Sequence, residues 1–321
     1  MKRAGAGPSG LAVLAGEGPV ENADPSAPSN CVRWRVGYSE TSGAAAFGRA
    51  GGGLIAVPPV SSMTSRELAW IMEIVAVIPA RFASTRLPGK PLLADTGKPL
   101  IQHVVEAARR ARRLSRVIVA TDDPRIFDAV LSFGGEAVMT RADHPTGTDR
   151  VAEVAAGLPN AEIIVNLQGD EPEVSGAALD LVASLLGDNP DAPMATLATP
   201  IHDESVYLDP ACVKVVCSRA GRALYFSRSP IPRHRDGLPA AGAPFGWLHL
   251  GLYAYRRDFL LTLGTLTPTL LETTEKLEQL RVLELGHPIA VGFVDEPGVG
   301  IDTPEDYRRF VERWKNRHNK S

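Results

Sequence analysis

With 321 residues, a net charge of −3, 44% hydrophobic and 22% charged residues, the chain has the composition of an ordinary soluble globular protein of one or two domains. It lacks the basic excess of a general nucleic-acid binder and any apolar run long enough to span a bilayer. Its three cysteines, Cys31, Cys212 and Cys217, are too few for a disulfide framework and fit a reducing cytoplasm.

Residues 1–70 read as a Gly/Ala/Pro-rich extension with no sustained period of 2 or 3.6, too poor in apolar pattern to offset its ordering entropy. Met63 and Met72 also allow an over-long reading frame there, a point that an intact mass from the native source decides. From Ile74 onward strands and helices alternate. Ile74–Ile78 is a buried strand expected to stop at Pro79, and Pro99 to about Arg113 has helical spacing. Arg116–Thr121 is a strand, followed by the cap and helix start Asp122-Asp123-Pro124 and the stop Gly134-Gly135. Glu136–Thr140 and Glu162–Leu167 are strands, with Thr148–Gly157 a helix between them and another helix after Gly176.

This rhythm implies an α/β fold with a mostly parallel, Rossmann-like sheet. Met194–Ile201, Val213–Ser218, Ala223–Ser227 and Leu248–Tyr255 then read as strands without intervening helices, predicting a smaller mixed-sheet subdomain. A helix at Leu277–Leu285, a strand at Ile289–Val294 and a closing helix from Pro304 complete the domain.

Four stretches could carry chemistry. After the first strand, Pro79 to Lys90 is small, hydroxylated and basic, with Arg81, Arg86 and Lys90 able to hold a polyphosphate or simply to be solvated. It is neither a P-loop, since Pro91 follows Gly89-Lys90, nor a Gly-x-Gly-x-x-Gly turn. Gln168-Gly169-Asp170-Glu171-Pro172 puts a carboxylate just past a strand's carboxyl end, where it could hold Mg2+ with substrate phosphates or cap a turn. Gly300-Ile301-Asp302-Thr303-Pro304 supplies a second carboxylate, although Asp-Thr-Pro is also an ordinary helix start. Arg141 to Arg150 is a polar loop that could line a nucleotide pocket. The seven histidines show no zinc-ligand spacing, and there is no Gly-x-Ser-x-Gly elbow.

Taken in order, Pro79–Leu92, Met139–His144, Gly147–Arg150, Val165–Pro172, Ala223–Arg228, His249–Tyr253, Leu277–Arg281 and Gly300–Asp306 resemble the 3-deoxy-manno-octulosonate (Kdo) cytidylyltransferase family over about residues 73–315. The resemblance implies a nucleotide-diphospho-sugar-transferase fold over 71–318, with about 190–275 forming a sugar-binding and dimerisation subdomain. The implied enzyme is a cytoplasmic, Mg2+-dependent homodimer that makes CMP-Kdo and pyrophosphate from CTP and Kdo for lipopolysaccharide. Arg81 and Lys90 are the implied triphosphate cations and Asp170 and Asp302 the Mg2+ ligands. Ala80, Ser84, Thr85, Arg141, Thr148 and Gln168 join them around the nucleotide. Arg228 is the natural partner of the Kdo carboxylate, and His249, Tyr255, Glu278 and Gln279 of its hydroxyls. Pro- and charge-rich Ser229–Arg235 and Thr269-Leu270-Leu271-Glu272 depart from the family pattern. A cytidylyltransferase for another acidic sugar, such as an acylneuraminate, and a non-catalytic nucleotide-binding homologue are the competing readings.

Overall fold

The computed structural model describes residues 46–50, 53–57, 72–83, 87–237, 239–240, 242–295 and 298–318. The chain divides into two units, residues 1–62 and 63–321. In the first, β1 (Ala46–Ala50) and β2 (Gly53–Val57) pair antiparallel, Ala46 opposite Val57. The sequence predicts no strand in this segment; the rest of the expected extension lies outside the described residues.

The second unit holds a nine-stranded sheet whose main path runs β11-β7-β10-β6-β3-β4-β5. These strands are β3 (Glu73–Ala80), β4 (Arg116–Thr121), β5 (Glu136–Met139), β6 (Ala161–Asn166), β7 (Met194–Ile201), β10 (Gly246–Arg256) and β11 (Ile289–Phe293). The pairings make β11, β7, β6, β3, β4 and β5 co-directional, with β10 alone reversed between β6 and β7. This is the mostly parallel α/β sheet that the alternation predicts. β7 and β10, which the sequence reading assigned to a separate subdomain, are inner strands of the main sheet. Only β8 (Lys214–Cys217) and β9 (Ala223–Ser227) branch off, through pairing of β8 with β10.

Alternation along β3 explains the layers. Ile74, Ala76 and Ile78 point into one core, with α1 (Leu100–Ala108) and α4 (Gly176–Asp188). Val75 and Val77 point into the other, with α3 (Gly147–Ala156) and helix Arg257–Leu263. The helix α2 (Pro124–Ser132) starts on Asp123, whose side chain accepts from Arg125 N, and on Pro124.

Several expected boundaries move for identifiable reasons. β3 continues through Pro79, opposite Ala120, to Ala80. The carbonyl of Val77 accepts from Leu167 N, so odd-numbered residues bond toward β6; β6 pairing stops at Val77–Asn166, and Pro79 has no ladder hydrogen bond to supply. α1 ends at Ala108 instead of Arg113, because Arg112 N and Arg113 N donate to the Asp180 carboxylate on α4. Three short helices went unseen. α5 (Glu204–Leu208) starts on the Asp203 cap, α6 (Arg257–Leu263) follows β10 directly, and α7 (Leu270–Glu275) opens with the Glu272 carboxylate accepting from Thr269 N. α8 is Gln279–Glu284, and α9, Pro304–His318, closes the unit.

Candidate active site

β3 is the switch point of the sheet: the chain passes to β4 and β5 on one side and to β6 on the other. Ligands of open α/β sheets bind in the crevice at such carboxyl ends. The loops after β3, β5 and β6 share that edge. So does the segment after β11, because β11 runs parallel to β7. β10 reaches the same edge with its first half, since Tyr253 pairs with the last β6 residue, Asn166, and His249 lies further out.

Two groups of side chains assemble there. The first centres on Lys90, which opens a single 3-10 turn, Lys90–Leu92, after Gly89 at φ 67. Its Nζ donates to Asp170 Oδ2 at 2.7 Å and to the Ile301 carbonyl at 2.7 Å, and stands 3.6 Å from Asp302 Oδ1. Ile301 N donates back to the Asp170 carbonyl at 2.9 Å. The helix-start reading of Asp302 is answered by its neighbours. Asp306 Oδ2 accepts from Thr303 N (2.9 Å) and Thr303 Oγ1 (2.7 Å), while Thr303 Oγ1 accepts from Asp306 N (3.2 Å). These two residues cap α9, and the Asp302 carboxylate faces Lys90.

Two carboxylates converging on one ammonium form a hard oxygen donor set. Among the described residues no cluster of three or more His, Cys, Asp or Glu side chains is arranged to hold a metal. The pair thus offers part of a coordination shell, which suits an ion of the Mg2+ type completed by water and phosphate oxygens. Next to it, desolvation and then the Asp170 charge push the Glu171 carboxyl up to about 7.

The second group lines a pocket at the start of α3. Thr146, Thr148, Asp149, Tyr255, Glu278 and Gln279 face it. Thr148, Tyr255 and Glu278 share this lining; burial raises the Glu278 carboxyl and holds the Tyr255 phenol well above its ordinary value. Gln279 is 3% exposed, and among the described residues its Nε2 has no hydrogen-bond partner. The half-buried Tyr253 links the two groups: it donates to Gln279 Oε1 at 3.5 Å, and it feels the charges of both Glu278 and Glu171. His249 packs edge-on against Phe226 (4.9 Å between ring centres) and 5.4 Å from Tyr253, its Nε2 3.0 Å from Thr196 Oγ1. Burial lowers its pKa to about 3, so the imidazole is neutral. Arg81 ties the groups together, donating from Nη2 to the carbonyls of His144 (2.7 Å) and Thr146 (3.0 Å).

Comparison with known proteins identifies the family. A family model described as Cytidylyltransferase matches residues 75–289. The 3-deoxy-manno-octulosonate cytidylyltransferase of Geobacter sulfurreducens is 50% identical over 251 residues, 76% of this chain and 100% of that protein. That of Syntrophotalea carbinolica is 51% identical over 243 residues, 74% of this chain and 97% of that protein. The chain belongs to the 3-deoxy-manno-octulosonate cytidylyltransferase family. A solved CMP:2-keto-3-deoxy-manno-octonic acid synthetase complexed with CTP superposes with a TM-score of 0.72 and 44% identity over 76% of this chain and 99% of that one. A Leptospira borgpetersenii cytidylyltransferase, at TM-score 0.51 and 19% identity over 75% of this chain and 85% of that one, shares the fold. The chain is thus a member of a nucleotidyltransferase family with the expected fold.

The remaining site residues expected from the family divide by location. Ala80 ends β3, buried at the sheet edge. Gln168 reaches the Gly251 carbonyl at 3.5 Å, across the β6–β10 gap. Arg141 is exposed and turned toward Asp143 at 3.6 Å, with its main-chain N–H donating to Glu153. Arg228 stands apart from the pocket lining: its guanidinium donates to the carbonyls of Glu275 (2.8 Å), Pro210 (3.0 Å) and Lys276 (3.4 Å). Ser84 and Thr85 lie outside the described residues. The sequence reading missed Glu171 and Tyr253. Glu171 sits beside Asp170 in the quoted motif, and Tyr253 shares a face of β10 with Tyr255 two residues on, so the period of 2 was the available signal.

Proposed function

We propose that this chain transfers CMP from CTP to the 2-hydroxyl of 3-deoxy-D-manno-octulosonate, releasing pyrophosphate and forming CMP-Kdo for lipopolysaccharide. The observation that carries the reading is Lys90 held between Asp170 and Asp302 at the switch-point edge of a chain in this family. The 2-hydroxyl oxygen attacks the α-phosphorus and gives up its proton to solvent, the bond from the α-phosphorus to the bridging oxygen breaks, and pyrophosphate leaves with that electron pair. Negative charge gathers on the phosphate oxygens as this happens, so positioned cations are the main need. Lys90 supplies one at the loop, and Arg81 fixes the loop that borders the pocket.

Asp170 and Asp302 would hold Mg2+, which when bound supplies Lewis-acid polarisation of phosphate and hydroxyl oxygens. In the adjoining pocket the unpartnered Gln279 Nε2 is a donor for a sugar hydroxyl, and Glu278 and Thr148 add acceptors. The reading extends to a cytoplasmic homodimer. Three sparse cysteines support the compartment, and no helix among the described residues is long and apolar enough to cross a membrane.

Pyrophosphate release with CTP and Kdo, and separately with CTP and an acylneuraminate, tests the assignment. Turnover with Kdo and Mg2+ is expected; turnover with the acylneuraminate alone overturns the sugar, and none with either overturns the activity.

A further inference from the structure

Asp302 is delivered by the segment leading into α9, and α9 is tied to the Asp170 loop at both ends. At the near end Ile301 N bonds the Asp170 carbonyl, and the fully buried Ile301 side chain packs with Leu87, Leu100, Tyr307 and Phe310 in a small separate core. Midway, the Tyr307 hydroxyl accepts from Asp95 N at 2.9 Å. At the far end Arg313 donates from Nε (3.0 Å) and Nη2 (2.6 Å) to Glu173 Oε2, while Arg317 bonds Glu173 Oε1.

Glu173 lies three positions beyond Asp170 on the same loop. Its side chain is 16% exposed, against 38% for Arg313 and 60% for Arg317. One carboxylate, largely withdrawn from water, thus spends both oxygens on two arginines one helical turn apart, a bidentate kind of grip that fixes direction as well as distance. The loop and the helix close a frame, so α9 cannot slide or turn without breaking it at Ile301 or at Glu173.

From this geometry we infer that Glu173 is a positioning residue for the metal-binding pair: by gripping Arg313 and Arg317 it sets the register of α9, and with it the approach of Asp302 to Asp170. The inference rests on the Mg2+ reading proposed above. It differs from a simple charge effect in sign. If Glu173 acted only as a nearby anion, removing the two arginines would tighten cation binding; as a register device, their loss loosens it.

The test is Mn2+ binding to the purified full-length protein, read from the electron paramagnetic resonance of free Mn2+, with Asp302→Ala as control. Glu173→Gln and the double variant Arg313→Gln/Arg317→Gln each weaken Mn2+ binding about tenfold or more, the range typical for partners that orient metal ligands. Combining all three substitutions adds little further, because one grip is being removed. Glutamine is a good helix former and both arginines are at the surface, so folding is preserved. Tighter Mn2+ binding in the arginine variant overturns the inference. So does unchanged affinity, even with a lowered melting temperature, while Asp302→Ala still loses Mn2+. A wild-type protein without Mn2+ binding, or an Asp302→Ala variant with full binding, overturns the metal reading and the inference together.

Discussion

Replacing Lys90 with methionine separates its two jobs. Methionine keeps the length of the stem, which is mostly buried at 13% side-chain exposure, and deletes the ammonium. Two hydrogen bonds at 2.7 Å vanish, one to the Asp170 carboxylate and one to the Ile301 carbonyl. Bonds to charged groups contribute about 1.5–3 kcal/mol each, but Asp170 and Asp302 keep 29% and 51% of their side-chain surface, so water screens the loss. A net destabilisation of about 2 kcal/mol is reasonable, or roughly 4–8 °C in Tm for a domain of this size. Because the variant leaves Asp170 and Asp302 side by side without their shared cation, Mg2+ should recover more of the Tm in the variant than it adds to wild type. Turnover does not recover. Deleting one preorganised charge-stabilising group costs roughly 10²–10³ in kcat. Paired thermal melts with and without Mg2+, alongside pyrophosphate release at saturating CTP, check both. A variant within tenfold of wild-type turnover, or one whose Tm gains no more from Mg2+ than wild type's, refutes the placement of Lys90 between substrate and metal.

Four further substitutions probe the same frame. Asp302→Ala should remove all but about 1% of turnover while moving Tm by less than about 2 °C, since Thr303 and Asp306 do the capping; calorimetry with the pyrophosphate assay checks it. Gly169→Ala puts a Cβ 2.9 Å from the Pro79 carbonyl, a main-chain atom with little room to give, so denaturant titration should show a loss of about 1–3 kcal/mol with reduced turnover. For His249, with a folded pKa near 3 against 6.5, the unfolded chain binds the extra proton between those values. Stability is therefore full above 6.5 and falls with pH toward 3; His249→Gln should show less of this decline, by about 2 kcal/mol at pH 5, in pH-dependent urea melts. Glu171 carries the opposite sign: its folded pKa near 7 exceeds 4.5, so its contribution weakens as pH rises from 4.5 to 7. Glu171→Gln should gain on wild type between pH 5 and 8 in the same melts.

Local signals carried most of the fold. Ile74–Ile78 is apolar and partly β-branched and became the middle of β3; Asp123-Pro124 is a cap followed by a fixed φ and became the start of α2. Both depend on a few adjacent residues. The helices α5, α6 and α7 are only 5, 7 and 6 residues long, too short for a 3.6 period to declare itself, and tertiary contacts hold them. The site was legible to different depths. Asp170 and Lys90 were readable as a post-strand carboxylate and a loop cation, but their joint contact with the Asp302 segment spans more than 200 positions, which no local pattern encodes. From the residues alone Asp302 was a second carboxylate that could equally open a helix, and the family resemblance implied its pairing with Asp170. Arg228 donates to the carbonyls at the end of α7, where helix-terminal oxygens need partners, a contact across more than 40 positions that no local pattern encodes.

Arg81 and Lys90, two cations at this edge, are held by internal acceptors. Arg81 fastens the end of β3 to the loop before α3, and Lys90 fastens the β3 loop to Asp170 and to the segment before α9. Lys214, fully buried beside β10, does the same structural work on three carbonyls, those of Asp209, Cys212 and Arg228. A cation so placed is positioned on folding, so what remains on binding a triphosphate is an exchange of its acceptors. The arrangement also links the two ligands of the proposed reaction. A triphosphate that takes Lys90 as a partner draws it from Asp170 and Asp302, and a divalent cation restores the charge those carboxylates lose. Under that reading nucleotide and metal each make room for the other, and the shared lysine is the physical reason.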